Sequence, residues 1–363
     1  MRVAILHNHD FDSLDDDPAR EARQDVISVA AALRDALVVR HAVELVPLGR
    51  APFAELQALC DAPPDVAINL CESVNGDARG EALVPLALEL AGVPVTGSPA
   101  LGISVALHKP KCKEVLRARG IPTPDWVELA DPTDVASVTL GYPLIVKPSR
   151  EDASSGIHAH SVVHDAAELA QAVREVVTRF KQSALVERFV VGRELNVALL
   201  GEPLRALPLG EIDFSALPAH LPAIVTYAGK WDESSVECLA TPPRPSTLSG
   251  ELAQHVVDVA VAAFSAVGCR DYGRVDVRLA ADGTPYVIDV NPNCDLSPTA
   301  GFARAAAQGG LGYAELAEEL VQLAWRRHGA APAARWRPSA PRPDARGDLG
   351  VLGQRGELRS RAG

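Results

Sequence analysis

No stretch of 18 uninterrupted apolar residues occurs in the 363-residue chain, so a bilayer-spanning protein is not expected. Only four apolar residues, Val3 to Leu6, separate Arg2 from His7, too few for the apolar core of a secretion signal, and a cytoplasmic protein is expected. The six cysteines (Cys60, Cys71, Cys112, Cys238, Cys269, Cys294) form no CxxC pair, which fits neither a zinc ribbon nor the disulfide framework of a small secreted domain; they read as reduced, mostly buried thiols. Neither a GxGxxG after a strand nor a GxxxxGK[ST] is present, which sets aside a nicotinamide-dependent dehydrogenase and a P-loop nucleotide site. No internal repeat is visible. Lysine is scarce, six against 29 Arg, so the retained lysines (Lys109, Lys111, Lys113, Lys147, Lys181, Lys230) point to places where a compact ammonium is needed in place of a planar guanidinium.

What is present is an acidic, ordinarily apolar chain with 47% hydrophobic residues and a net charge of −12. Seven Arg against three acids lie after residue 330, which leaves the first 330 residues at −16, and such a body repels nucleic acid phosphates. Apolar runs and helical spacing over residues 3 to 100 predict a β-α-β-α-β unit with a parallel sheet, closing with a helix from Gly80 to Ala91 and a strand from Val93 to Thr96. After a helix from Lys109 to Arg119, Gly120-Ile-Pro-Thr-Pro124 is a stiff connector. A second unit follows, with strands at Leu144 to Lys147, His158 to Val163 and Ala184 to Phe189 and a helix from Ala166 to Phe180. A third holds strands at Glu194 to Leu200 and Leu204 to Leu209, a Pro-rich excursion from Leu217 to Pro245, a helix from Leu252 to Val267, a hairpin from Tyr272 to Asn291 and a helix from Ala314 to Arg327. The expected division is 1–100, a parallel α/β domain; 101–185, a central subdomain; 186–329, a C-terminal subdomain; and 330–363, an Ala, Pro, Arg and Gly-rich disordered tail.

The hairpin carries the strongest chemical signal. With Ala280 paired to Pro285 across the turn, Asp276 falls opposite Asp289, and Arg274, Asp276, Asp289 and Asn291 share one face while Val275, Val277, Ile288 and Val290 fill the other. Opposed carboxylates repel. A divalent cation between them removes the repulsion, and two Asp with an Asn amide oxygen are hard ligands of the kind Mg²⁺ takes beside substrate phosphates; a solvated polar face with the charges fanned apart is the other reading. On the metal reading, Asp289→Asn abolishes turnover and leaves the chelated protein no less stable.

Two further stretches stand out. The strand ending at Lys147 runs into a polar loop, Ser149 to Gly156, whose hydroxyls and free amides can wrap phosphate oxygens and which is expected to be a mobile lid ordered over bound nucleotide; a plain surface loop is the other reading. Residues Ala184 to Asn196 place Glu187 and Glu194 about a short Gly-containing hinge with Phe189 and Val190 between them, the kind of flat apolar slot with backbone donors and acceptors that a purine needs and an acid for a ribose diol, or else an ordinary hairpin with solvated acids.

In order along the chain, Asn69-Leu-Cys-Glu72, Asn75-Gly-Asp77, Val93-Pro-Val-Thr-Gly97-Ser98, His108-Lys109, the Lys147 loop, the Glu187 to Glu194 hinge, Gly229-Lys230-Trp231 and the Arg274 to Asn291 hairpin resemble the ATP-grasp superfamily, and within it the D-alanine:D-alanine ligases. The resemblance implies a three-unit α/β architecture, α+β in its nucleotide-binding part, with ATP held between the second and third units. It implies Lys109 and Lys147 on the α and β phosphates, Glu187 on the adenine amino group with Val190 supplying backbone, Glu194 on the ribose, Ser154 capping the phosphates, Lys230 on the γ phosphate, and Asp276, Asp289 and Asn291 on two Mg²⁺, Mn²⁺ being an alternative. Lys111, Lys113 and Lys181 are left as solvated helix lysines. The activity implied is ATP-dependent joining of a carboxylate to an amine through an acyl phosphate, with Arg274 stabilising the tetrahedral oxyanion, small amino acids or relatives as substrates and a homodimer as the default assembly. A nucleotide-binding relative that no longer catalyses, and a ligase for substrates other than D-alanine, are the alternatives.

Departures from the family pattern fall on the substrate side. His7-Asn-His-Asp10 and Asp15-Asp-Asp17 stand where the family has a Gly-rich turn and a Glu for the first substrate's ammonium, with Glu21 a loose substitute; His7 and His9 read as hydrogen-bonded turn residues. Ala153 replaces a loop Ser, Trp231 a Tyr, Asp295 a Gly whose amide meets the acceptor carboxylate, and Ala300 a Ser.

Overall fold

The computed structural model describes residues 1–9, 20–49 and 51–330. The expectations for Asp10, Asp15 to Asp17 and the 331–363 tail lie outside the described residues, and that for Glu21 rests on a side chain outside them.

The first sheet is parallel, in the order β2-β1-β3, from β1 (Arg2–Asn8), β2 (Ala42–Leu48) and β3 (Val66–Asn69), with α1 (Arg20–Leu37), α2 (Pro52–Asp61) and α3 (Leu83–Leu90) in the crossovers. β1 and β3 are apolar on both faces because both are covered: Ala4, Leu6 and Ala67 meet Leu56, Leu59, Val84 and Leu88 on one side. On the other, Val3, Ile5 and Ile68 meet Val29, Leu33 and Leu37 of α1 and Leu316, Leu320 and Val321 near the C-terminus. The helix expected from Gly80 begins instead as a 3-10 turn at Ala78–Gly80, capped by Asp77, with α3 starting at Leu83. The expected strand Val93 to Thr96 shrinks to one bridge, Ala67 to Val95.

Two helices, α4 (Ala100–Leu107) and α5 (Lys109–Ala118), lead to a four-stranded antiparallel sheet, β4-β7-β5-β6, made of β4 (Trp126–Leu129), β5 (Leu144–Pro148), β6 (Val162–Val163) and β7 (Ala184–Arg188), with α6 (Ala166–Phe180) across it. Asp165 caps α6 by accepting the N–H groups of Ala167 and Glu168, both at 2.9 Å. The strand expected from His158 is only β6, because a 3-10 turn occupies Ala159–Ser161.

The third sheet runs β11-β10-β8-β12-β13, with β9 on β8. Its strands are β8 (Gly192–Leu200), β9 (Arg205–Ala206), β10 (Gly210–Ile212), β11 (Pro243–Pro245), β12 (Tyr272–Ala280) and β13 (Pro285–Asn291). The Pro-rich excursion holds two short helices, α7 (Tyr227–Trp231) and α8 (Val236–Ala240), and β11. The strand expected from Leu204 to Leu209 shrinks to the two residues of β9, and β10 begins only after it, at Gly210. Helix α9 (Gly250–Val267) is, among the described residues, long and apolar enough to cross a membrane by length and composition; here Val256, Ala260, Ala263 and Phe264 are buried against Val275, Val277, Val287 and Val290 of the hairpin. Gly273 permits that approach, since a Cβ there would lie 2.3 Å from the Phe264 ring. The chain ends with α10 (Gly301–Gln308) and α11 (Tyr313–Ala330), the latter returning to cover α1 and β3. All six cysteines are thiols, four of them buried.

Candidate active site

The hairpin brings its acids together by a register that differs from the expected one. Arg274 pairs with Asn291, Val275 with Val290 and Asp276 with Asp289, but a bulge after Asp276 sets Val277 against Val287 and Leu279, not Ala280, against Pro285. The extra residue is Ile288. It leaves the core, its place being taken by Val287, which is 1% exposed. Ile288 lines a cleft between the second and third sheets, and its carbonyl accepts from the Lys147 ammonium at 3.3 Å.

Eight of the eleven expected site residues line this cleft: Lys109, Lys147, Ser154, Glu187, Val190, Glu194, Asp276 and Asp289. Arg274 and Asn291 adjoin it through Asp276. Arg274 forks onto that carboxylate at 2.7 and 2.8 Å, Asn291 donates to it at 3.1 Å and Asn196 of β8 at 2.7 Å. Across the hairpin, Lys109 donates to both oxygens of Asp289, at 2.8 and 3.0 Å, and to Asp152 at 3.1 Å. Burial by itself would lower the Lys109 ammonium, but Asp289 and Asp152 outweigh it and hold it above the ordinary lysine value. Burial likewise opposes ionisation of Asp289, and Lys109 and Lys147 more than offset it. The two acids are therefore already reconciled by protein cations, which corrects the expectation that only a divalent ion could do so.

Lys113 was expected to be solvated and is not. It is 3% exposed, four residues after Lys109 on the same face of α5, and pairs with Glu187 while donating to Thr123 at 2.7 Å. Lys147 meets the other oxygen of Glu187 at 2.5 Å. Burial would raise the Glu187 carboxyl, yet Lys113 and Lys147 bring it below the usual value. Both its oxygens lie against lysines, so adenine recognition by that side chain, expected from the resemblance, would share the carboxylate with Lys113 and Lys147. The spacing of Lys109 and Lys113 was the available signal; Lys111, on the opposite face, is exposed and pairs with Glu114. Glu194 pairs with Arg278 at 2.8 Å, and burial holds its carboxyl above the ordinary value. Arg278, a further residue the motif reading missed, stacks over Phe189 at 5.4 Å from the ring centre.

Over the cleft, Ala153 and Ser154 sit in the left-handed region with φ of 54° and 61°. This loop is anchored at its two ends: Ser149 is fully buried and bonded to Ser183, and Gly156 lies where a Cβ would come within 2.8 Å of Phe180 and Pro148. Helix α7 leans on it, with the Trp231 indole N–H donating to the Ala153 carbonyl at 3.0 Å and the Tyr227 N–H to Ile157 at 2.8 Å. Lys230 lies 4.9 Å from the centre of the Trp231 ring. Burial and Arg274 lower its ammonium, against Asp295, Glu72 and Asp276.

Among the described residues no three His, Cys, Asp or Glu side chains are grouped to bind a metal by themselves. Asp276, Asp289 and the Asn291 amide oxygen nevertheless fit a hard divalent ion that takes its remaining ligands from phosphates, which is how Mg²⁺ is usually held.

Residues 115–322 match the family model of the D-ala D-ala ligase C-terminus. The chain belongs to the D-alanine–D-alanine ligase family. The D-alanine–D-alanine ligase of Albidiferax ferrireducens is 30% identical over 270 residues, 74% of this chain and 75% of that one. The uncharacterized protein y4sG of Sinorhizobium fredii is 36% identical over 276 residues, 73% and 78% of the two chains. In fold, the D-alanine–D-alanine ligase from Bacillus anthracis, solved with ATP, aligns at a TM-score of 0.69 over 91% of this chain and 99% of that one, with 22% identity. Membership makes this ligase an ATP-dependent enzyme that forms C–N bonds, and a catalytically silent relative is not favoured.

Proposed function

We propose that the cleft binds ATP with divalent metal and that the enzyme phosphorylates the carboxylate of an amino acid, then joins it to the amine of a second. The observation that carries this is the convergence of Lys109, Lys147, Asp276 and Asp289, drawn from four separate elements, on one cleft. In this reading Lys147 and Lys109 contact the α and β phosphates, the Val190 backbone and the Phe189 ring hold the base, and Glu194 receives the ribose diol. Ser154 caps the phosphates and Lys230 reaches the γ phosphate. Asp276, Asp289 and Asn291 hold Mg²⁺, two ions or their Mn²⁺ equivalents, which supply charge neutralisation of the phosphoryl oxygens.

The first carboxylate is a poor acyl donor. Its oxygen takes the γ phosphoryl group as the bond to ADP breaks; the amine then attacks the acyl carbon, phosphate leaves, and a proton is lost from the nitrogen. Arg274, fixed by Asp276, is placed to meet the oxyanion of that second step. We also read the chain as three units divided near residues 100 and 185, as a homodimer, and as cytoplasmic. The experiment is phosphate release from ATP and Mg²⁺ with a pool of amino acids, the coupled product being identified by mass. Absence of amino-acid-dependent release, with ATP bound, would overturn the ligase reading.

A further inference from the structure

We infer that Arg278 is a positioning residue for the nucleotide: it fixes Glu194 in the attitude that receives the ribose diol, and so makes this ligase distinguish ribonucleotides from 2′-deoxyribonucleotides. The inference deepens the nucleotide reading above and rests on it.

Arg278 stands directly opposite Glu194 where β12 pairs with β8, so the two side chains leave the sheet on one face, toward the cleft that both line. The strands lie this close at their ends because β8 opens with Gly192, where a Cβ would fall 2.0 Å from the Leu279 carbonyl oxygen. The guanidinium is tied to three segments. Its Nη2 meets Glu194 Oε2 at 2.8 Å and donates to the Ala223 carbonyl of the Pro-rich excursion at 2.5 Å, while Nη1 donates to the Gly192 carbonyl at 3.3 Å. Its central carbon lies 5.4 Å from the ring centres of both Phe189 and Phe214. Arg278 is 4% and Glu194 8% exposed, so neither side chain can swing away without breaking these contacts.

Stability alone does not account for this arrangement, because a buried ion pair adds little over apolar residues of the same volume. Its place in the cleft wall does. One salt bridge occupies one of the about four acceptor positions of a carboxylate, which leaves Glu194 able to take two neighbouring hydroxyls. A planar guanidinium held at three points fixes the direction of that carboxylate, where the point charge of a lysine would let it turn. Burial also works against the charged form of Glu194, and Arg278 is the largest influence in the other direction; a charged carboxylate is the stronger acceptor for a hydroxyl. The ring of Phe189, offered to the base, lies within cation–π reach of the same guanidinium, so the walls for base and ribose share one anchor.

The test is calorimetric binding of ADP and of 2′-deoxy-ADP, each with Mg²⁺, to the full-length protein, which does not depend on the acid and amine that the enzyme joins. The parent should bind ADP about 10- to 100-fold more tightly than 2′-deoxy-ADP, the range of one charge-assisted hydrogen bond. Arg278→Met should remove most of that preference, chiefly by weakening ADP, and Arg278→Lys, which keeps the charge but not the fork, should recover part of it. Glu194→Gln should lose the preference too. The double variant should be no worse than Glu194→Gln alone, because Arg278 acts through Glu194. A residue that only supported the fold would weaken both nucleotides alike. Full parental preference in Arg278→Met, or in Arg278→Lys should the former not fold, overturns the inference while the ribose assignment of Glu194 stands, and so do losses that simply add in the double variant. Parental preference in Glu194→Gln overturns the ribose assignment and the inference together, and a parent that binds no ADP overturns the nucleotide reading itself.

Discussion

Asp276 and Asp289 face each other across the hairpin, and each carries a cation of the protein's own, Arg274 on the first and Lys109 on the second. Asp289→Asn should still remove nearly all turnover, because it takes away a metal ligand and an anchor of Lys109. Its effect on stability is the reverse of what repulsion between bare acids implies. With Lys109 6% exposed at its side chain, losing the Asp289 charge leaves a buried ammonium with Asp152 alone, at a cost of about 1–3 kcal/mol. Thermal melts in chelator check this: the variant should melt below the parent, and a variant that melts higher would restore the repulsion picture. Asp295 poses a second question at this scale. Its carboxylate, half-buried and close to Asp25 and Lys230, disfavours an acceptor with a free carboxylate, since like charges at ~4 Å cost about 4 kcal/mol at an effective dielectric of 20. D-Alaninamide should therefore gain on D-alanine as acceptor in the parent, and Asp295→Gly should shift preference back to D-alanine; equal ratios in the two proteins would put Asp295 outside acceptor recognition.

At the scale of elements, the loop Ser149 to Gly156 and helix α7 meet through two hydrogen bonds, from Trp231 to Ala153 and from Tyr227 to Ile157. Ser154 and Lys230 should therefore move together. Limited proteolysis should cut this loop more slowly with a non-hydrolysable ATP analogue and Mg²⁺ than without, and Trp231→Phe, which keeps a ring but loses the N–H, should weaken that protection; identical digestion in all arms would refute a coupled cover. The loop itself was legible as polar and glycine-containing, but its anchoring was not, because Ser183 and Phe180 lie some thirty residues on and nothing local announces them. The same limit explains the hairpin. Alternation correctly set Asp276 against Asp289, yet the bulge at Ile288 was hidden, since an apolar residue suits either the core or a cleft wall. β6 fell short of its expected length because Ser161 and His158 close a 3-10 turn on each other, a choice made by side-chain hydrogen bonds that β propensity does not register.

Across the whole molecule, α5 works as a clasp between sheets. Its Lys109 reaches β13, its Lys113 reaches β7, and Lys147 of β5 completes the chain through Glu187, so one helix face ties the second sheet to the third by buried charge. Composition hinted at this: few lysines, three of them here. That Lys113 belonged to the set depended on β7 lying over α5, a tertiary fact. Folding against such charges makes stability depend on pH in a signed way. Glu187 and Asp289 are held below their ordinary values of 4.5 and 3.8, so on acidification the unfolded chain takes up protons first; their stabilisation is complete above about pH 4.5 and is lost as pH falls through the depressed values. Glu81 has the opposite sign, its folded value lying well above 4.5, so stability declines as pH rises from there. Melting temperature measured from pH 3 to 8 separates the two. Glu187→Gln should lower it at neutral pH, in line with a loss of about 3–5 kcal/mol for a broken buried pair, and make the acid limb shallower, because one of the two groups that titrate there is gone. Glu81→Gln should leave the acid limb steep and flatten the decline above pH 5. An acid limb equally steep in Glu187→Gln would mean that the clasp between α5 and β7 is not what acid releases.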